Sequence, residues 1–259
     1  MDKKTTSRDG TSIAYQSTGA GPAVILVSGA MSTGATVAPL AVPLSDRFTV
    51  VSYDRRGRGE SGDTAPFAVE REVEDLAALI GAVGGEASLY GISSGGALVL
   101  HAAASGLPVR RVAVYETPYA VYEDGAKQWT EYTEGLTEAL AQDRRGDAVE
   151  LFLRLTGLAE EMIQGARQSP MWPGMEALAQ SLAYDAAVLG DGRVPRPLLA
   201  SVGVPVLAAA GGASPAWLRE ATRAIAEAVP QGTYRALEGQ THMVDPNALA
   251  PVLAEFFAG

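Results

Sequence analysis

The sequence predicts an α/β fold in which a mostly parallel sheet carries helices on both faces. Short apolar runs, such as the one at residues 23–28, are typical of strands that are buried on both faces of a parallel sheet. These runs alternate with segments of helical periodicity, which favours parallel strands joined by right-handed crossovers. The alternation stops near residue 118 and resumes near residue 196, so we expect a helical insertion between two parts of one sheet.

Five strands and three helices are predicted before the interruption. The first strand alternates polar and apolar residues like an edge strand, and the turn signal Asp9-Gly10 precedes it. The second helix places its apolar residues on one stripe, and the third helix follows residue 93. The strands are predicted at residues 11–17, 23–28, 48–53, 87–91 and 109–115, and the first two helices at 35–46 and 68–83.

Residues 118–195 have helical periodicity, many aromatic and methionine residues, and no convincing strand. Pro195-Arg196-Pro197 ends this segment, and strands at 204–209 and 233–237 then alternate with helices near 216–229 and 246–258. An all-helical insertion between two parts of one sheet is typical of a lid. We therefore expect a core formed by residues 1–117 and 196–259, with residues 118–195 as a lid.

Composition excludes several classes of site and partner. The chain has 259 residues, no cysteine and two histidines, so we expect no disulfide, no thiolate nucleophile and no metal site. The net charge of −10 argues against nucleic acid or an anionic membrane as a partner. No apolar run is long enough to span a bilayer and the first residues lack a signal-peptide core, so a cytoplasmic protein is the expectation.

One short motif carries most of the chemical information. Gly91-Ile92-Ser93-Ser94-Gly95 lies between a strand-like and a helix-like apolar stretch, which is the context of a nucleophile elbow. The residues two before and two after the serine crowd each other in such a turn, so both must be small. The hydroxyl of Ser93 would then point out above the sheet, and the N-terminus of the following helix would offer N–H groups to a developing oxyanion.

Four segments in order resemble those of the α/β-hydrolase family. They are Val27-Ser28-Gly29-Ala30, Asp54-Arg55-Arg56-Gly57-Arg58-Gly59-Glu60-Ser61, the elbow motif with Gly96, and Gly239-Gln240-Thr241-His242. The resemblance implies an eight-stranded, mostly parallel sheet with a lid inserted after strand six. It also implies Ser93 as nucleophile, His242 as base, and the N–H groups of Ala30 and Ser94 as the oxyanion hole, with Met31 lining the adjacent cavity.

The chain departs from the family pattern at two positions. Ser28 stands where the family usually has histidine, and Ser214 stands where the family usually has the triad aspartate. The resemblance indicates Glu116 as the candidate substitute acid, because it ends the sixth strand, where some members of the family carry the acid. Three alternatives remain: Asp245 or Glu238, which are close to His242 in sequence, a Ser–His dyad, or a weak hydrogen bond from Ser214.

Other residues have competing interpretations. Gly57-Arg58-Gly59-Glu60-Ser61-Gly62 matches a dinucleotide pattern, but it does not follow the first strand of a βαβ unit, so no nucleotide site or other cofactor is expected. His101 is expected to be structural, and Asp54 and Arg55 are expected to hold the loop architecture. Within the lid, the candidates to face the substrate are Trp129, Trp172 and Met175.

The leading functional hypothesis is a cofactor-independent serine hydrolase that acts on a small, largely apolar ester, lactone or thioester. The partner is then a small apolar molecule, and the oligomeric state stays open. Within the same fold, a C–C bond hydrolase and a cofactor-free perhydrolase or haloperoxidase are alternatives. A dehalogenase or epoxide hydrolase is disfavoured, because those enzymes use an aspartate at the elbow. Outside enzymes, the alternative is a small-ligand-binding protein, which the missing aspartate supports and the intact Ser93 and His242 count against.

Overall fold

A computed structural model describes residues 3–259, and its strands form one eight-stranded sheet in the order β1-β2-β4-β3-β5-β6-β7-β8. The pairs β1–β2 and β2–β4 are antiparallel, and every other pair is parallel. This confirms the predicted mostly parallel sheet. The strands are β1 (Lys3–Thr6), β2 (Ser12–Thr18), β3 (Ala23–Val27), β4 (Thr49–Tyr53), β5 (Ala87–Ile92), β6 (Val109–Tyr115), β7 (Val206–Gly211) and β8 (Gly232–Leu237).

The helices lie on both faces of the sheet, as predicted. They are α1 (Gly34–Leu44), α2 (Val69–Ala82), α3 (Ser94–Ala104), α4 (Glu123–Ala141), α5 (Arg145–Leu155), α6 (Glu160–Arg167), α7 (Trp172–Leu189), α8 (Arg196–Ala200), α9 (Ala216–Ala228) and α10 (Pro246–Ala258). No helix within residues 3–259 is both long and apolar enough to span a lipid bilayer.

The central strands are apolar because both faces of the sheet are covered. All five residues of β3 are buried. Ile25 and Val27 pack in the core that contains α2 and α3, whereas Val24 and Leu26 pack in a second core with α1 and α10. Successive side chains of a strand point to opposite faces, so an uninterrupted apolar run is what this two-sided burial requires.

One prediction about the sheet was wrong in detail. Residues 11–17 were expected to be the edge strand, but β1 pairs outside β2 and takes that position. The sequence of β1, Lys-Lys-Thr-Thr, has no apolar residue, and its side chains are mostly exposed. A short, charged strand at the edge of a sheet is one way in which proteins prevent further strand pairing, and it has no hydrophobic pattern that could be recognised.

The segment between β6 and β7 is helical, with helices α4 to α7 followed by the short α8. We call α4 to α7 the inserted helices. The two ends of the segment meet, because the Ala120 N–H donates to the Gly192 carbonyl at 2.7 Å. Helix α7 contacts both α2 and α3, so it joins the segment to the rest of the molecule. The domain boundaries at residues 117 and 196 stay a prediction.

Candidate active site

Ser93 lies on the sharp turn between β5 and α3, in a backbone conformation that few residues other than glycine adopt. Its φ is 56° and its ψ is −128°. The flanking glycines are required sterically, because a Cβ on Gly91 would lie 2.3 Å from the Gly95 carbonyl oxygen. A Cβ on Gly95 would lie 2.5 Å from the Val27 carbonyl oxygen. The predicted strand–turn–helix context of the motif is therefore present.

Glu116 follows β6, next to the turn of Ser93, and its side chain is completely buried. One carboxylate oxygen, Oε1, accepts a hydrogen bond from the Gly211 N–H at 2.7 Å. The other, Oε2, lies 2.8 Å from Nδ1 of His242. Because a carboxylate only accepts hydrogen bonds, Nδ1 carries the proton, and Nε2 of the neutral ring is left as an acceptor.

His242 lies on the loop after β8, and 41% of its side chain is exposed. Ser93 and His242 line the same cavity. The structure thus brings together, from three separate segments of the chain, the three residues that the sequence predicted as nucleophile, base and acid.

The other side chains suggested as partners of His242 are engaged elsewhere or lack contact with it. Asp245 caps α10, because its Oδ1 accepts from the Asn247 N–H at 2.8 Å. The hydroxyl of Ser214 is buried and has no partner among the described residues. Glu238 is exposed. Among these candidates, the carboxylate in contact with the imidazole is therefore that of Glu116.

The segments predicted to hold an oxyanion lie directly beside Ser93. A Cβ on Gly29 would be 2.9 Å from Cβ of Ser93, so this loop passes the serine at van der Waals distance. Ala30, the next residue, lines the cavity, and Ser94 lines it at the start of α3. The N–H groups in the first turn of a helix have no intrahelical acceptor, which leaves the Ser94 N–H available.

The cavity has a volume of about 820 Å³ and a mainly apolar wall. Core elements contribute Val37, Leu40, Ile92 and Leu249 to this wall. The inserted helices contribute Trp129, Tyr132, Phe152, Leu182 and Leu189. Trp129 therefore faces the cavity, as predicted, and its indole Nε1 donates to the Gly190 carbonyl at 2.9 Å.

Three residues predicted to face the substrate do not belong to this wall. Met31 has a left-handed backbone, with φ of 53°, and its side chain packs against the hydrophobic core. Trp172 starts α7 and is buried against α5, near Gly146. Met175 follows one turn later and also packs on the core. The cavity meets only the C-terminal half of α7, so side chains of its first turn cannot reach the cavity.

Sequence reasoning missed the residue of α7 that contacts the site most directly. Oδ1 of Asp185 accepts three hydrogen bonds: from Ser94 Oγ at 2.7 Å, from Arg55 Nη1 at 2.7 Å and from Arg58 Nη2 at 2.8 Å. Burial raises the pKa of Asp185, but the guanidinium groups of Arg58 and Arg55 outweigh that effect and hold it below its ordinary value. Asp185 is therefore a buried anion.

Arg58 connects Asp185 to the loop beside Ser93. Its Nη1 donates to the Gly29 carbonyl at 2.7 Å. Arg55 also holds Glu72 of α2 through two hydrogen bonds, of 2.9 and 2.6 Å. The prediction that Arg55 has an architectural role fits these contacts. Asp185 belongs to no recognisable motif. The one signal that could indicate such a residue is that buried arginines need carboxylate partners.

The remaining predicted structural residues have contacts of their own. The carboxylate of Asp54 accepts from the Gly34 N–H at 2.8 Å and from the Glu60 N–H at 2.9 Å, so it holds the loop after β4. Nε2 of His101 lies 3.1 Å from the Val188 carbonyl and faces α7. Within residues 3–259, no group of three histidine, aspartate or glutamate side chains is arranged to hold a metal ion.

Comparison with known proteins places the chain in a family. Residues 24–254 match the model of the alpha/beta hydrolase family. A 2-(acetamidomethylene)succinate hydrolase of Mesorhizobium japonicum is 31% identical over 205 residues, which are 76% of this chain and 72% of that protein. A pimeloyl-[acyl-carrier protein] methyl ester esterase of Stenotrophomonas maltophilia is 38% identical over 98 residues, or 38% of this chain and 36% of that protein.

A solved structure agrees over almost the full length. An alpha/beta hydrolase of Sphaerobacter thermophilus superposes with a TM-score of 0.89 and 51% identity, covering 98% of this chain and 100% of that one. The family model spans both parts of the sheet and the inserted helices between them. The chain therefore belongs to the alpha/beta hydrolase family.

Proposed function

We propose that the chain is a serine hydrolase that cleaves a small, largely apolar carboxylic ester, lactone or thioester. The observation that carries this proposal is the constellation on one cavity wall. Ser93 and His242 both line the cavity, and His242 donates from Nδ1 to the buried carboxylate of Glu116 at 2.8 Å. A hydroxyl, an imidazole and a carboxylate in these roles are the parts of nucleophilic acyl transfer.

In the proposed reaction, Ser93 Oγ attacks the substrate carbonyl carbon and its proton passes to Nε2 of His242. The imidazolium is stabilised by Glu116 and gives this proton to the departing alcohol or thiol, which leaves an acyl ester on Ser93. Water then attacks the acyl carbon while His242 takes a proton from it. The serine hydroxyl re-forms as the carboxylic acid departs, and no step needs a cofactor.

The N–H groups of Ala30 and Ser94 are proposed to hold the oxyanion of both tetrahedral intermediates. The loop of Ala30 passes within van der Waals distance of Ser93, and Ser94 begins the helix behind it. The positive end of the α3 dipole adds to this stabilisation. Loss of one such donor typically costs about 3 kcal/mol in the transition state.

The substrate class is inferred from the cavity wall and from the relatives. The wall is mainly apolar and accepts a small acyl chain within about 820 Å³. One relative is an esterase by name and another is a hydrolase. The name of the Mesorhizobium japonicum hydrolase contains succinate, which is a dicarboxylate, and we do not propose a dicarboxylate as the substrate of this chain. The inserted helices contribute much of the wall, so we propose that they act as the lid that sets chain-length preference.

A screen of p-nitrophenyl esters of graded acyl length, from acetate to decanoate, tests the proposal. We expect turnover that peaks at a short or medium chain and falls on either side. Ser93→Ala should abolish the turnover, because it removes the nucleophile while the elbow accepts the smaller side chain. Ser201→Ala, at the exposed end of α8, is the matched control and should retain full rate.

Two results would count against the proposal. Turnover by Ser93→Ala at the wild-type rate would remove Ser93 from the mechanism. Saturable binding of the esters without any hydrolysis by the folded wild-type chain would favour a ligand-binding protein on this fold.

A further inference from the structure

We infer that the cavity selects an uncharged acyl group and rejects an acyl group that carries a carboxylate. The inference rests on the proposed hydrolase function and adds the charge of the substrate to it. Its basis is the set of ionisable side chains in and directly behind the cavity wall.

The described part of the cavity wall contains no lysine or arginine. Its ionisable side chains that can be charged near neutral pH are Asp124, Asp185 and His242. Asp124 is exposed at the start of α4, and Asp185 is a buried anion on α7. His242 is already bound to Glu116, so any positive charge that it gains during turnover has a partner. A carboxylate in the substrate would therefore find no free cation in this wall.

The arginines that flank the wall are not available to a ligand. Arg193 is bound to Glu123 through two hydrogen bonds, of 2.7 and 2.6 Å, and Arg219 donates to the Gly212 carbonyl at 3.0 Å. The side chains of Arg55 and Arg58 are fully buried. Arg55 is bound to Glu72 and Asp185, and Arg58 to Asp185 and the Gly29 carbonyl. Nε of Arg58 has no acceptor among the described residues, but this atom too is buried. The positive charges of Arg55 and Arg58 are balanced by the carboxylates of Glu72 and Asp185. These two arginines therefore add no net positive charge behind the cavity wall.

Transfer of a carboxylate from water into such a site is unfavourable on two grounds. The carboxylate loses its hydration and gains no ion pair or charge-assisted hydrogen bond in return. It also approaches the like charge of Asp124 at the surface of a chain with a net charge of −10. An isosteric alkyl group faces neither cost, and it gains contact with the apolar wall.

A matched pair of esters isolates the effect of charge. The p-nitrophenyl esters of 6-methylheptanoic acid and of adipic acid share the leaving group and the chain. They differ in that the first ends in an isopropyl group and the second in a carboxylate of the same shape. We expect kcat/KM for the adipate half-ester to be lower by about 100-fold or more. Equal kcat/KM values, or a preference for the half-ester, would overturn the inference.

A charge reversal at the cavity wall provides the second test. Asp124→Lys places a cation on the wall and should raise the ratio of half-ester to neutral-ester kcat/KM by about 3- to 10-fold. Glu131→Lys makes the same change of charge on the same helix, but outside the cavity, at a side chain that is 66% exposed. This control should alter the ratio less than 2-fold. An equal effect of both variants would attribute the selection to overall charge and contradict a role of the wall.

Binding by the Ser93→Ala protein separates this inference from the proposed function. Calorimetric titration with the same two esters does not require hydrolysis. If the neutral ester binds more tightly to this variant but the wild type hydrolyses neither ester, the inference stands and the hydrolase proposal fails. If the half-ester binds as tightly as the neutral ester, or if neither binds, the inference fails.

Discussion

At the scale of single residues, backbone strain marks the ends of three neighbouring strands. Met31, Ser93 and Glu116 follow β3, β5 and β6, and all three have positive φ values, between 48° and 56°. Left-handed backbone at residues other than glycine costs on the order of 1–3 kcal/mol and persists where the surroundings enforce it. The strained turns place the serine and the carboxylate on the same edge of the sheet. The elbow motif predicted the strained turn at Ser93, but no local sequence pattern indicates a strained backbone at Met31 or Glu116.

The contacts of Glu116 lead to a prediction about the proposed acid. Glu116→Gln keeps the shape of the side chain but removes its charge, so an imidazolium formed at His242 would lose its partner and the ring could take the wrong tautomer. We expect kcat for the preferred p-nitrophenyl ester to fall by about 10²- to 10⁴-fold. Ser214→Ala is the matched comparison, and it should reduce kcat less than 3-fold because the Ser214 hydroxyl has no partner.

The reverse pattern would refute this assignment. If Ser214→Ala lowered kcat strongly and Glu116→Gln lowered it only slightly, the loop after β7 would be the element that orients the histidine. Circular dichroism and thermal unfolding of both variants establish whether a lost rate reflects chemistry or lost structure.

At the scale of secondary-structure elements, most strands and helices could be predicted because two-sided burial and amphipathic stripes leave clear patterns. Strand β3 is entirely apolar, and helix α2 buries Leu76, Leu79 and Ile80 along one side. The elements that escaped prediction lack such patterns. Strand β1 is polar. Helix α8 has five residues and begins within Pro195-Arg196-Pro197, where the prolines indicated only the end of the helical segment.

The side of α7 that faces the cavity could not be predicted in the same way. Its residues are apolar almost all around, so the sequence does not say whether Trp172 or Leu182 reaches the substrate. That depends on how α7 packs against α3 and α5, which is a property of the whole fold. The candidates Trp172 and Met175 failed for this reason, and Asp185 was overlooked.

Asp185 leads to a prediction about the attachment of α7. Asp185→Asn keeps the side chain's shape but removes the negative charge that balances the buried Arg55 and Arg58. Removing one partner of a buried ion pair typically destabilises a protein by about 3–5 kcal/mol. We expect a loss of this order in the free energy of unfolding, measured in urea. Asp46→Asn, an exposed position on the same chain, should change it by less than about 0.5 kcal/mol.

An unchanged urea midpoint for Asp185→Asn would contradict the view that this carboxylate stabilises the junction of α7 with the loop beside Ser93. Asp185→Leu extends this test, because an apolar side chain of similar size removes the shared acceptor of both arginines as well as the charge, so it should be at least as destabilising as Asp185→Asn.

At the scale of the whole molecule, the inserted helices are fixed to the core through buried polar contacts as well as apolar packing. Asp185 and the carbonyl of Val188 are both on α7. The first binds the arginines of the loop after β4, and the second binds His101 of α3. Tyr184, also on α7, donates its hydroxyl to Asp63 at 2.6 Å. This side of the helical segment is therefore held to the core as one unit.

His101 makes the stability of this unit dependent on pH. Burial lowers the pKa of His101 and outweighs the hydrogen bond to Val188, which acts in the opposite direction. An unfolded histidine has a pKa of about 6.5. Below that pH the unfolded chain takes up a proton that the folded chain resists, so this contribution to stability is complete above pH 6.5 and declines as the pH falls further.

We therefore expect His101→Gln to lose less stability than the wild type when the pH is lowered from 7.5 to 5.5. Glutamine retains a donor for the Val188 carbonyl but does not titrate. Urea unfolding of both proteins at the two pH values measures the difference. An identical loss in the two proteins would show that His101 does not contribute to the pH dependence.

Covalent labelling tests most directly whether Ser93 is an activated nucleophile. A fluorophosphonate reacts with a serine that has a general base and an oxyanion hole, and it leaves an unactivated hydroxyl unmodified. Incubation of the wild type should add one phosphonyl group to the intact mass, and peptide mapping should locate the group on Ser93. Ser93→Ala should remain unlabelled, and Glu116→Gln should label far more slowly. A folded wild-type chain that stays unlabelled, or a label on another residue that persists in Ser93→Ala, would show that Ser93 is not an activated nucleophile.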